Sequence, residues 1–201
     1  MRIRRWLVVA IWIVAVPAVA AASATTYKVD PDHTNVGFRV RHLFTSVQGR
    51  FDRFEGTIVY DPTKPEETKV EGSIEAASIN TNVPERDKHL RSDDFFDVAK
   101  YPKITFVSTK PVDIDPSKKN GKLEGKLTIH GTEKPVVLDV TYLGAAKDPW
   151  GNQRAGFSAR TKVNRKDFGL TWNETLESGG LLVGDDIEID IDAEGIVPAA
   201  Q

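Results

Sequence analysis

From residue 34 onward, hydrophobic and polar positions alternate in eight separate stretches. Residues 34–42 set Val36, Phe38 and Val40 against Gly37, Arg39 and Arg41. Residues 49–60 carry Phe51, Phe54, Ile58 and Tyr60; Phe51 and Phe54 differ in parity, which predicts a bulge near Arg53. Residues 68–77 put Val70, Gly72, Ile74 and Ala76 on one side, and residues 103–114 offer Ile104 and Phe106. Residues 121–131 follow with Leu123, Leu127 and Ile129, and residues 135–144 with Val136, Leu138, Val140 and Tyr142. Residues 154–164 carry Phe157, Ala159, Thr161 and Val163, and residues 183–195 carry Ile187, Ile189 and Ile191 between acidic residues. Period-two patterning gives each strand one buried and one wet face, the habit of antiparallel sheets.

Turn signals separate the strands: Asp61-Pro62, Asp115-Pro116, Asn120-Gly121, Gly131-Thr132 and Pro149-Trp150-Gly151-Asn152. The stretch from Asn82 to Lys100 breaks the alternation and reads as helical, with Pro84 in the first turn. A short helix is therefore expected around residues 83–98, and another short helix or turn around Asn164–Leu170. Eight such strands can form a sandwich or close into a barrel. Closure removes exposed edges, and eight strands enclose room for packed side chains or for one ligand. Small residues among the inward set, Gly72, Ala76, Ala159 and Thr161, favour a cavity but also fit the taper of a packed barrel.

The chain begins with Arg2, Arg4 and Arg5, an apolar run from Trp6 to Ala22 and then Ala22-Ser23-Ala24. That order is a secretory signal, so residues 1–24 are expected to be cleaved before Thr25 and residues 25–201 to form one exported, soluble domain. Without the three arginines, 24 basic residues face 29 acidic ones, a formal charge of −5. A mildly acidic surface argues against nucleic acid and against stable attachment to anionic headgroups. Cysteine is absent, which excludes disulfides, thiol catalysis and thiolate metal sites.

No arrangement of residues points to catalysis. His33, His42, His89 and His130 form no H-E-x-x-H or H-x-H pair. There is no G-x-S-x-G elbow, and Ser178-Gly179-Gly180 lacks the strand-turn-helix frame of one. Asp185, Asp186, Glu188, Asp190 and Asp192 alternate with isoleucines, so they form the wet face of a strand rather than a calcium loop. The segment Arg86–Arg91 is the richest polar cluster. It either meets a ligand at a cavity mouth or, the favoured reading, pins the helix to the barrel through Arg165 or Asp167.

Several motifs occur together and in order: Tyr27-Lys28-Val29-Asp30 with His33-Thr34; Gly49-Arg50-Phe51 with Phe54-Glu55-Gly56; and Arg86-Asp87, His89-Leu90, Asp94-Phe95-Phe96-Asp97 and Tyr101-Pro102. Gly125-Lys126-Leu127-Thr128, Asn164 to Leu170 and Val183 to Ile187 complete the set. Over nearly all of residues 25–201 the chain resembles the YceI-like family of exported, lipocalin-like polyisoprenoid-binding proteins. The resemblance implies an eight-stranded antiparallel barrel, a periplasmic or secreted location, common dimerisation and a tunnel for an isoprenoid tail, as in a polyprenyl carrier or a quinone. It implies no cofactor other than that ligand, and transient contact with a membrane or its redox proteins.

Strand parity then puts Phe38, Val40, Phe54, Ile74, Phe106, Leu127, Ile129, Val140 and Phe157 on the tunnel wall, so Phe106→Asp should abolish lipid retention. His42, Arg86 and His89 are the expected headgroup contacts at the mouth. Two other classes stay open, beside the weaker idea of quinone or haem delivery to a membrane redox partner. A lipid hydrolase would need His42 or His89 within hydrogen-bond reach of a carboxylate inside the cavity. A structural barrel would have a filled interior.

Overall fold

The computed structural model describes residues 24–175 and 181–197. Of the proposed signal segment, residues 1–24, all but Ala24 lies outside this range, and no described helix is long and apolar enough to cross a membrane.

Eleven strand segments make eight spans of a closed antiparallel barrel. The first span is β1 (Thr25–Val29) and β2 (Asn35–His42), interrupted by a single 3-10 turn at Pro31–His33. It forms a hairpin with the second span, β3 (Thr45–Phe51) and β4 (Phe54–Tyr60). The third is β5 (Lys69–Glu75) and β6 (Ile79–Asn80), broken by a 3-10 turn at Ala76–Ser78. Then follow β7 (Lys103–Asp115), β8 (Asn120–Ile129), β9 (Thr132–Lys147), β10 (Gln153–Asn164) and β11 (Val183–Val197). Each span pairs with its neighbour in sequence. β11 closes the ring on both halves of the first span, Ile191 opposite Val36 and Ile196 opposite Lys28.

The bulge signalled by Phe51 and Phe54 is present: Phe54 faces Ile74, whereas Phe51 faces Ile79, a register change of two. Asp52 and Arg53 drop out of the ladder, and their backbones bond instead to Ser78 O and from Glu75 N. Interrupting adjacent spans together lets them coil tightly enough to close a small barrel.

Some boundaries differ from expectation. β1 and the first half of β3 extend the first hairpin, which turns at Leu43-Phe44 with Leu43 in the left-handed region (φ 48°) and no Gly or Asn to signal it. Asn120-Gly121 lies inside β8, because Asp115 caps the turn through Ser117 and Lys118 and Lys119 takes the left-handed position (φ 56°). The helix, α1 (Pro84–Arg91), is shorter than the expected 83–98. Ser92 ends it by bonding His89 O with both its backbone N–H and its hydroxyl, and Asp97 then turns left-handed (φ 42°). The expected turn at Asn164–Leu170 is a 3-10 turn, Arg165–Phe168, capped by the Asn164 side chain.

At one junction Arg154 of β10 ties three elements together. Its guanidinium bonds Asp148 Oδ2 at 2.8 Å, Asp30 Oδ2 at 2.7 Å and the Glu194 carboxylate. Arg154, Asn152 and two backbone N–H groups hold the Asp148 carboxyl down at about 2. Burial opposes ionisation of Asp30, but hydrogen bonds from Arg154 and His33 outweigh it and lower that pKa too. A carboxyl depressed on folding stabilises the native state above its unfolded pKa near 3.8, and that stabilisation is lost as pH falls through about 2. Arg154→Met is therefore expected to lower the urea midpoint at pH 7, with the gap from wild type closing between pH 4 and pH 2. A gap that stays constant over that range would show that these charges do not stabilise the fold.

Candidate functional site

The barrel encloses a cavity of about 480 Å³ with an overwhelmingly apolar wall, within the ~300–1,000 Å³ usual for small-molecule sites. All nine residues assigned to the tunnel by parity line it: Phe38, Val40, Phe54, Ile74, Phe106, Leu127, Ile129, Val140 and Phe157. Phe38, Phe54, Ile74, Phe106, Ile187, Ile189 and Ile191 pack against the buried core cluster yet stay only partly buried, since each also borders the lumen. Of the small inward residues, Gly72, Ala159 and Thr161 border the lumen, whereas Ala76 is buried in the 3-10 turn after β5.

Two aromatic rings are laid flat enough to keep the lumen open. The Phe106 ring lies where a Cβ on Gly125 would sit, 2.4 Å away, and Phe38 does the same over Gly49. Gly72 differs. A Cβ there would meet nothing nearer than the Glu55 carbonyl at 3.8 Å, so this glycine simply leaves volume vacant.

The two ends of the barrel are unlike. At one end the lining residues in strand connections, Leu90, Phe95, Phe96, Phe168 and Leu170, are buried or half-buried. Phe168 is 1% exposed and, with Ile79, is among the most fully buried large side chains. Its turn is anchored by Arg165, 3% exposed, whose guanidinium donates to Leu170 O at 2.6 Å, Trp172 O at 2.7 Å and Gly184 O at 3.0 Å and reaches Asp185. Burial lowers the Arg165 pKa against the opposing pull of Asp185. At the other end the connections that border the lumen include exposed Pro62, Pro116 and Lys119. The cavity is thus plugged at the α1 end and open at the β4–β5 and β7–β8 end.

This geometry sets the expected headgroup residues apart from the cavity. His42, Arg86 and His89 all lie at the plugged end, and none of them borders the cavity. Arg86 donates to Thr81 Oγ1 and O, and Asp87 accepts from Thr81 N and Oγ1. Arg91 donates to Ala77 O and Ile79 O. The helix is therefore pinned to the β6 segment, not to Arg165 or Asp167 as expected from sequence. His89 Nε2 lies 2.8 Å from Asp94, a histidine–carboxylate pair, but one outside the cavity between Phe95 and Trp172. The geometric condition for a lipid hydrolase is unmet by this pair. Asp30, His33 and Glu194 bring three metal-ligating atoms within 4.8 Å of one another, but the Arg154 guanidinium already bonds both carboxylates and fills a cation's place.

Tyr60 and Tyr142 are polar residues of the site that strand parity marks only as inward-facing. Both border the open half of the lumen, with their ring centroids 4.7 Å apart. They are the tyrosines in a wall otherwise dominated by aliphatic and phenylalanine side chains, which was the available signal.

The YceI-like domain profile matches residues 27–195, most of the chain. The chain belongs to the YceI-like family. It is 44% identical over 155 residues to a UPF0312 protein of Vibrio cholerae, covering 75% of this chain and 80% of that one. A YCEI protein of Campylobacter jejuni superposes with a TM-score of 0.67 at 38% identity, over 85% of this chain and 96% of that one. A polyisoprenoid-binding domain of Saccharophagus degradans, implicated in plant cell wall breakdown, superposes with a TM-score of 0.59 over 86% of this chain and 98% of that one. At 16% identity that last likeness shows the shared fold alone.

Proposed function

We propose that this YceI-like chain is an exported, periplasmic carrier that holds the tail of an isoprenoid lipid, a polyprenyl carrier or an isoprenoid quinone, inside its barrel, and that it is not an enzyme. The observation that carries the reading is the one-ended apolar cavity with all nine parity-assigned residues on its wall. The domain of Saccharophagus degradans, whose fold is similar, is a polyisoprenoid-binding one, which supports the choice of ligand class.

The energetics suit a tail. Each buried methylene contributes about 0.8 kcal/mol, so a few five-carbon units give a gross gain of about 8 kcal/mol or more, the micromolar scale. Ordering the tail and immobilising the partners cost several kcal/mol of that. An apolar wall discriminates poorly between tails of similar length, so selectivity falls to polar contacts at the open end. Transient contact with a membrane, where such a lipid resides, follows from the same reading. A homodimer is part of the proposal too.

Native mass spectrometry of the protein purified from its own periplasm, followed by organic extraction, tests this directly. A co-purifying species whose mass fits a run of isoprene units is the expected result. An empty barrel that takes up neither offered polyprenyl phosphate nor quinone would overturn it. The open cavity already weighs against a barrel filled for purely structural ends.

A further inference from the structure

The open half of the lumen contains three hydrogen-bond donors that the fold itself leaves unused. Neither the Tyr60 nor the Tyr142 hydroxyl bonds to another described residue. Every fully buried polar side-chain atom among the described residues has a partner, so these hydroxyls are reachable from the lumen or its mouth. Burial raises the pKa of both phenols, which keeps them protonated as donors.

Lys119 completes the set. Its carbonyl accepts from Tyr142 N at 2.8 Å, which fixes its backbone beside that ring, and its ammonium lies 5.9 Å from the ring centroid. It borders the cavity and, unlike its neighbours, makes no ion pair with any described residue: Lys118 is paired with Asp115 and Lys122 with Asp113. Several carboxylates stand at the same end: Glu67 pairs with Lys64 and Asp113 with Lys122, while Asp61 and Asp115 are occupied by their own turns. Asp61 accepts from Thr63 N at 2.8 Å and Thr63 Oγ1 at 2.7 Å, while Asp115 accepts from Ser117 N and Oγ. At the lumen itself, two phenol donors and one cation remain without a hydrogen-bond or ion-pair partner among the described residues.

Such a set complements a group made only of acceptor oxygens and carrying negative charge. We infer that Tyr60, Tyr142 and Lys119 form the headgroup subsite and that the headgroup they take is a phosphate ester. This rests on the lipid-binding reading above, and it moves the headgroup from the plugged end, where His42, Arg86 and His89 lie, to the open one. The tail then runs inward past Phe157, Ile74 and Phe106 toward Phe168.

The test compares geranylgeranyl phosphate, geranylgeraniol and a menaquinone with the same four-unit tail by titration calorimetry. Wild type is expected to bind the phosphate at least about tenfold more tightly than the alcohol or the quinone, the scale of one charge-assisted hydrogen bond. Lys119→Gln is expected to erase most of that preference and its salt dependence. The double variant Tyr60→Phe, Tyr142→Phe, which keeps both rings, reduces phosphate affinity by about tenfold while alcohol affinity moves far less. Thermal unfolding of each variant verifies the fold. Equal affinities for phosphate and alcohol, tighter binding of the quinone, or a preference that survives the substitutions would overturn the subsite while leaving the carrier reading standing. Failure of all three lipids to bind would overturn both.

Discussion

Gly72→Phe is expected to weaken isoprenoid binding by at least about tenfold while leaving the protein as stable as wild type or more so. Gly72 sits on β5 between Val70 and Ile74, its strand partners are Gly56 and Phe106, and a Cβ there points into vacant lumen. A benzyl group in that space displaces lipid. Losing contact with only two methylenes removes about 1.6 kcal/mol, already more than a factor of ten in affinity. Stability moves the other way, because a strand glycine costs roughly 0.5–1 kcal/mol in backbone entropy relative to alanine and the new ring buries apolar surface. Gly125→Ala provides the contrast. Its Cβ would fall 2.4 Å from the Phe106 ring and 2.8 Å from the Val107 carbonyl, so a single methyl there should destabilise the barrel. Both are measured by urea unfolding and by lipid titration. A Gly72→Phe protein that binds lipid as well as wild type would mean that the lipid does not occupy this part of the lumen. The glycine is a sharper probe than Phe106→Asp, since removing Phe106 also uncovers Gly125 and introduces a charge into an apolar wall.

Why Gly72 could be singled out as inward from sequence, while the mouth could not be found there, has a physical basis. Inside and outside are written in strand parity, because each residue contributes its side chain to one face or the other. Val70, Gly72 and Ile74 therefore declare their side without any knowledge of the turns, and even the bulge at Asp52-Arg53 shows as a parity change between Phe51 and Phe54. Parity says nothing of which end of a strand is covered. That depends on how the connections fold over the rim: Arg165 gathering three carbonyls, Arg91 reaching back to Ala77 and Ile79, Phe168 dropping into the core. Those bonds join segments far apart or turn backbone that has no periodic signature. Charge on α1 consequently suggested a mouth at Arg86 and His89, whereas the charges there fasten the plug. The Leu43-Phe44 turn carries no sequence signal for a related reason, a non-glycine residue held left-handed by the hairpin around it.

The plug should be the most sensitive part of the molecule. Phe168→Ala is expected to lower the unfolding free energy by about 3–5 kcal/mol, the usual cost of deleting a fully buried phenylalanine, out of about 5–15 kcal/mol for a domain of ordinary stability. Phe168 closes the lumen and packs in one cluster with Val36, Phe51, Ile79, Leu127, Ile129, Val163 and Leu170, so its removal joins a new void to an existing one. Barrel strands on three sides cannot collapse into that void without breaking ladder hydrogen bonds, which places the cost toward the upper part of the range. Urea unfolding at neutral pH measures it, with an unchanged slope showing that the denatured state is unaffected. The same substitution deepens the cavity at its closed end, so the folded fraction should accept a longer isoprenoid tail than wild type does. A loss below about 1 kcal/mol would mean that the end of the barrel relaxes freely, and that Arg165 and the α1 segment, rather than the Phe168 ring, keep it closed.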